Sequence, residues 1–260
     1  MRENMPKVSA LVMIYNEAPQ IRDCLETIKW VDEIVICDSF SNDGTVEICR
    51  EYTDKIYQRE FDDFGSQKNW TLDKPSHEWV LFVEADERFS AALTDEIRFK
   101  LSQEEGYDGY YMPFENYCFR WKLKGYFWQF KKLKLFKKGK VRWEERMVHS
   151  GIEFSGRADD LENPVIHLPY RSFRHWLRKI NYSSRLHAQQ MFKDGTGYGW
   201  QHVIRVPLCI PVVFCRFYFK RADYKSGLGG VIVSLMAALT VSLNYYRYFL
   251  EKGRRSRVKG

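Results

Sequence analysis

The sequence predicts an α/β fold: a mostly parallel sheet with helices on both faces, followed by a C-terminal helical region. Three observations predict it. Through the first hundred residues, short apolar runs rich in β-branched side chains alternate with stretches of helical spacing, the pattern of βαβ units. Past Gly106, short strand patterns follow one another across polar turns, which indicates antiparallel additions to the sheet. From residue 227 to 246, twenty residues carry no charge, a length that suits a long apolar helix.

In chain order, Val8–Ile14 is the first strand and residues 34–37 the second, with Ile21, Cys24, Leu25 and Ile28 at helix spacing between them. "SNDGTVEI" opens a second helix, where Ser41, Asn42 and Asp43 can cap free amides. "FGSQKNWTL" reads as a third helix, leading into a strand at 79–83. "YDGYYMPF", "KLKLFKK", "KVRW" and "NPVIHL" are the later strands. Residues 171–192 form an amphipathic helix with Phe173, Trp176, Leu177, Ile180 and Met191 on one side. Two apolar segments close the chain: "VIRVPLCIPVVFCRFYF", broken by Pro207 and Pro211, and the run 227–246. The expected division is residues 1–168 as the α/β domain and 169–260 as the helical region.

Composition narrows the class. With 45% hydrophobic and 29% charged residues in 260, the chain is too apolar for wholesale disorder. Its six cysteines form no CxxC pair, so they read as thiols in a reducing compartment. No leader pattern precedes the first strand, and cytoplasmic is the default location. The net charge of +7 is unevenly spread. The chain is acidic through residue 119, while residues 120–146 carry 11 Lys/Arg against 2 Asp/Glu and residues 164–260 carry 17 against 3. A basic back half points to an anionic partner.

In an open α/β sheet, ligands bind beyond the carboxyl ends of the parallel strands. Here those ends carry Asn16 and Glu17, then Asp38, then Glu84 and Asp86 in "LFVEADERFS". Residues two apart on an extended chain point the same way, so Glu84 and Asp86 form a pair of hard oxygen ligands suited to Mg²⁺ or Mn²⁺ on a diphosphate.

The segments "LVMIYNEAPQIRDCLETIKWVDEIVICDSFSNDGTVEI", "FGSQKNWTL" and "WVLFVEADER" resemble, in order and spacing, the family-2 inverting glycosyltransferases of the GT-A (Rossmann-like) fold. Within them the chain is most similar to the lipopolysaccharide-core β-1,4-glucosyltransferase group, closely over residues 8–100 and less so to 170. The resemblance implies a UDP-sugar donor, expected to be UDP-glucose, and a lipid-linked glycan acceptor. Tyr15, Glu17 and Asp38 would hold the nucleoside and Lys68 the phosphates or sugar. Asp86 would hold the metal, and Glu84 the ribose or the metal. The family's acidic motif opens with Asp where this chain has Glu84, and it tends to read Val-His-Glu where this chain has "MVHSG". An inverting transfer needs a general base for the acceptor hydroxyl; Glu153, His149, Glu144 and Glu145 are the candidates. Transfer to a polyprenyl-phosphate-linked or protein acceptor is the enzymatic alternative. A catalytically lapsed domain that binds membrane or nucleic acid is the other.

"CFRWKLKGYFWQFKKLKLFKK" interleaves cations with rings, as an acceptor loop or a solvated hairpin would. Single-stranded nucleic acid uses similar chemistry, but it has no use for the acidic strand edge, and no nucleic-acid partner is expected. Both flanks of the run 227–246 are basic, whereas a spanning helix shows a charge bias between its ends. Peripheral or monotopic attachment to an anionic surface at the cytoplasmic face of the inner membrane is therefore expected ahead of spanning or a buried core helix.

Overall fold

The computed structural model describes residues 5–103, 105–147, 151–195 and 205–258. The elements run β1 (Val8–Ile14), α1 (Ala18–Thr27), β2 (Glu33–Asp38), α2 (Thr45–Arg50), β3 (Ile56–Gln58), α3 (Phe64–Thr71), β4 (Trp79–Glu84), β5 (Glu87–Arg88) and α4 (Ala91–Ser102). Then come β6 (Gly109–Cys118), β7 (Trp121–Lys122), β8 (Lys131–Lys137), β9 (Val141–Trp143), β10 (Ile152–Phe154), β11 (Ala158–Asp160) and β12 (Val165–Tyr170). Three helices complete the order: α5 (Phe173–Lys193), α6 (Arg205–Cys215) and α7 (Leu228–Val258).

The main sheet has the order β3-β2-β1-β4-β8-β6-β12-β5. β3, β2, β1 and β4 are parallel neighbours, and β8 joins β4 antiparallel. Both faces of the parallel part are covered. Val8, Ala10, Val12 and Ile14 pack with Ile21 and Leu25 of α1, with Ile28 just after it, and with Leu93 and Ile97 of α4. On the opposite face Leu11 packs with Val35, Val80, Phe82 and Leu72. Burial on two sides is why these strands read as unbroken apolar runs.

Strand order reverses at β1, whose neighbours are β2 and β4. A crevice opens at such a switch point, beyond the carboxyl ends of the strands. Register sets what stands there: Ile14 pairs with Asp38, and Met13 with Glu84. The three strands therefore end almost level, with acids on both sides of β1.

Local chemistry departs from expectation in two places. α2 begins after Gly44, at φ +88°, in the left-handed region that glycine tolerates. Of the residues offered as its caps, Asp43 accepts from the Thr45 amide at 3.2 Å, but Ser41 is drawn off to Asp38. The stretch 118–138 is also not one hairpin. Residues 131–137 enter the sheet as β8 between β4 and β6, while the short β7 pairs only with the end of β6 and Tyr126–Trp128 form a 3-10 turn.

Two compact units result: residues 1–115 with 130–167, and residues 116–129 with 168–260. In the second unit Cys118, Leu123, Trp176, Ile180, Val233 and Met236 form a core. Buried Asp223 accepts hydrogen bonds from Trp128 Nε1 at 3.0 Å and Ser234 Oγ at 3.1 Å. That contact fastens the 116–129 segment to the start of α7, and burial pushes the Asp223 pKa up.

Candidate active site

β4 delivers Glu84, the turn after it delivers Asp86, and β5 begins with Glu87. Arg88 fixes that turn from behind. Its guanidinium donates to the carbonyls of Ala85 (2.9 Å), Glu87 (2.8 Å) and Gln20 (3.0 Å), the last on α1. β12 lies antiparallel to β5 with His167 opposite Glu87, and this register brings the imidazole to the acids. His167 Nε2 is 3.6 Å from Asp86 Oδ1. Glu84, Asp86 and His167 each offer one ligand atom within 4.8 Å of the others. Two carboxylates and an imidazole are a donor set for a divalent ion, and the imidazole suits Mn²⁺ better than Mg²⁺.

From the other side come lysines that sequence reasoning missed. β8 places Lys132 Nζ 3.6 Å and Lys134 Nζ 3.8 Å from Glu84 Oε2. Lys134 is 1% exposed and touches the two oxygens of fully buried Glu87 at 2.6 and 2.8 Å. The Glu84 backbone amide also donates to Glu87, at 3.0 Å. The electrostatics follow from this packing. Burial opposes ionisation of Glu84, but Lys134 and Lys132 overcome it and hold the carboxyl well below its usual range. Burial pushes Glu87 upward. It also works against the Lys134 cation, which the pull of Glu87 and Glu84 more than restores. The signal was present in "KKLKLFK": lysines at 132 and 134 share one face of a strand.

Lys68, on α3, is half-buried with Nζ 5.5 Å from the Phe82 ring centre and 5.6 Å from that of Trp143. Burial lowers its pKa, against the pull of Glu84. Asp38 is buried at the end of β2, where it accepts from the Ser41 amide (3.0 Å), the Ser41 hydroxyl (2.5 Å) and Gln58 Nε2 (2.9 Å). Glu17 accepts from Gln20 Nε2 at 2.6 Å, and its own amide donates to Thr45 at 2.8 Å. Tyr15 is exposed at the end of β1 and Phe40 at the end of β2. Asn16 and Phe40 both have positive φ, 55° and 59°, a backbone region that bulky residues occupy at a cost in strain.

The base candidates belong to one segment. Glu144 and Glu145 are exposed after β9, and Glu153 is exposed on β10, where it pairs in register with Arg142. His149 and Ser150 lie outside the described residues. Asn69 of α3 holds Trp143 by two hydrogen bonds of 2.8 Å. At Gly65 a Cβ would stand 1.9 Å from the Glu144 carbonyl oxygen, so α3 seats this segment only through a glycine. The geometry gathers Glu84, Asp86 and His167 into one cluster with Lys132 and Lys134; Glu153 is not part of that cluster.

This strand order, with helices on both faces and acids at the switch point, is that of the GT-A class of fold. The model of the family "Glycosyl transferase family 2" matches residues 9–162. The chain belongs to glycosyl transferase family 2. It is 27% identical to the lipopolysaccharide core biosynthesis glycosyltransferase LpsC of Rhizobium meliloti (strain 1021), covering 95% of this chain and 96% of that one. An uncharacterized glycosyltransferase of Rickettsia felis is 24% identical over 90% of this chain and 86% of its own. Among solved structures, the mannosyltransferase PcManGT from Pyrobaculum calidifontis, in complex with GDP-Man and Mn²⁺, matches with a TM-score of 0.52. It is 14% identical and covers 94% of this chain and 88% of its own, a likeness of fold.

Proposed function

We propose that this glycosyltransferase is an inverting hexosyltransferase that moves glucose from UDP-glucose onto a lipid-linked glycan such as a lipopolysaccharide inner core. The observation that carries the reading is the joining of Glu84, Asp86 and His167 at the switch point. The full-length likeness to LpsC supports the acceptor class. Glu84, Asp86 and His167 would hold the Mg²⁺ or Mn²⁺, which supplies positive charge to the departing diphosphate. Lys68 adds a cation beside it, and Tyr15, Glu17 and Asp38 bind the nucleoside. The acceptor hydroxyl loses its proton to a base in the segment 144–153, Glu153 or His149. Transfer of labelled glucose from UDP-glucose to purified inner-core acceptor tests the reading, and no turnover with any UDP-hexose would refute it.

The nucleoside assignment has its own test. Asp38→Ala is expected to weaken UDP binding by about 1–3 kcal/mol, the usual cost of leaving buried polar partners unpaired. The group left unpaired would be on the nucleoside; the loss of Ser41 and Gln58 as partners of Asp38 falls on the fold and not on the affinity. Unchanged affinity by calorimetry would place Asp38 outside the pocket.

Attachment to the cytoplasmic face of the inner membrane is part of the proposal. Residues Leu228–Arg254 of α7 are long and apolar enough to cross a bilayer, and length alone also suits a helix lying in the interface. Supporting the interfacial mode, Tyr126 (60% exposed) and Phe127 (45%) lie in the second unit beside cations. Lys225 Nζ is 4.4 Å from the Tyr126 ring centre, and the Arg221 guanidinium lies 4.3 and 4.2 Å from those of Phe127 and Phe217. Rings paired with cations favour a headgroup layer. In vesicle flotation the full chain should rise with anionic liposomes. Replacing Arg254, Arg255 and Arg257 by Gln should weaken that binding by about 1 kcal/mol per charge, while neutral vesicles respond little. A chain that floats with neither lipid refutes attachment.

A further inference from the structure

The acid edge is already charge-balanced by the protein. Glu84, Asp86 and Glu87 stand against Lys68, Lys132 and Lys134, with Lys132 and Lys134 within 4 Å of Glu84. Glu87 and Lys134 satisfy each other in the core. What remains is two acids, Glu84 and Asp86, and two lysines, Lys132 and Lys68. A divalent ion arriving alone would leave this site with two excess positive charges, whereas an ion arriving with a doubly charged diphosphate ester leaves it neutral.

Of the two β8 lysines that meet Glu84, only Lys132 has room to respond. Lys134 is enclosed and bonded to Glu87, while the Lys132 side chain is 43% exposed and meets Glu84 at a looser 3.6 Å. Its Nζ lies 4.9 Å from the Phe114 ring centre and 5.4 Å from that of Phe130, and those faces give a cation a favourable track to move along. We propose that Lys132 is a positioning residue that couples metal loading to donor binding. In the free site it neutralises Glu84 and so opposes an ion; when the diphosphate enters, it turns from Glu84 to the phosphate oxygens. The ion and the nucleotide then bind cooperatively, and the site avoids holding a metal without a donor.

The inference rests on Glu84, Asp86 and His167 being the metal site, and the experiment separates the two claims. Mn²⁺ binding to the full-length protein is titrated by electron paramagnetic resonance, with and without UDP, for wild type, Lys132→Met and Lys132→Arg. Wild type should bind Mn²⁺ weakly alone and more tightly with UDP. Lys132→Met should bind Mn²⁺ alone about tenfold more tightly, the scale of removing one like charge a few ångströms from a half-exposed site. The enhancement by UDP should shrink by about the same factor, and Lys132→Arg should behave as wild type. A merely structural lysine would weaken metal binding or leave it alone when lost, so the opposite sign is diagnostic. Unchanged or weaker Mn²⁺ binding in Lys132→Met overturns the role of Lys132 and leaves the metal site standing. Wild type that binds no Mn²⁺ even with UDP overturns both.

Discussion

Asp86→Ala is expected to remove nearly all transfer while the protein stays folded. Asp86 stands on the turn between β4 and β5, and its contact toward the site is His167 at 3.6 Å. The supports of that turn are elsewhere: Arg88 on three carbonyls, and Glu87 bonded to Lys134 and to the Glu84 amide. Losing Asp86 would therefore remove a proposed metal ligand and leave those supports in place. The charge it would help to hold acts where the diphosphate departs, and such stabilisation is worth several kcal/mol. A loss of about 4 kcal/mol corresponds to roughly a thousandfold in rate. Donor turnover, Mn²⁺ binding and a thermal melt on the same preparation decide it. Turnover and Mn²⁺ binding should both fall while the melting temperature holds. Full activity in Asp86→Ala would sink the assignment of the site.

How much of this was legible in the sequence depends on whether the information is local. The parallel strands were legible because β1 and β4 are buried on both faces and read as apolar runs that stop at polar residues. Glu84 and Asp86 were legible for the same reason, since an apolar strand that ends in acids has surfaced at a sheet edge. The partners of those acids were not legible as partners. His167 comes beside Asp86 through the register of β12 on β5, and Lys132 and Lys134 come beside Glu84 through β8 pairing with β4. Those pairings join residues far apart in the chain, and no periodicity within either segment specifies them. The same cause split the basic aromatic stretch, whose halves 116–129 and 130–138 fall in different compact units. α4 was missed although its signal was local: Ser90 accepts from the Leu93 amide as an N-cap. Of the site residues assigned by resemblance, Tyr15, Glu17 and Asp38 stand at or just beyond the ends of β1 and β2, and Lys68 comes from α3.

Lys134→Met is expected to cost stability rather than chemistry alone, and the cost should be large. The Lys134 ammonium is shielded from water, and so is the Glu87 carboxylate it touches at 2.6 Å. Removing one member of a buried pair strands the other charge, at about 3–5 kcal/mol. Here the stranded group is Glu87, which would keep the Glu84 amide as a donor but lose its only described cation contact within 4 Å. Glu84 would also lose the nearby Lys134 charge and retain Lys132. Replacing both members gives the contrasting result. Lys134→Met with Glu87→Gln removes the stranded charge and keeps an acceptor for the Glu84 amide, so most of the lost stability should return. Urea denaturation of the two single variants and the double variant, followed by tryptophan fluorescence, measures the coupling. Trp79 and Trp143 are buried in the first unit and report on it. A single variant as stable as wild type, or a double variant as unstable as Lys134→Met, would show that the pair does not hold the floor of the site.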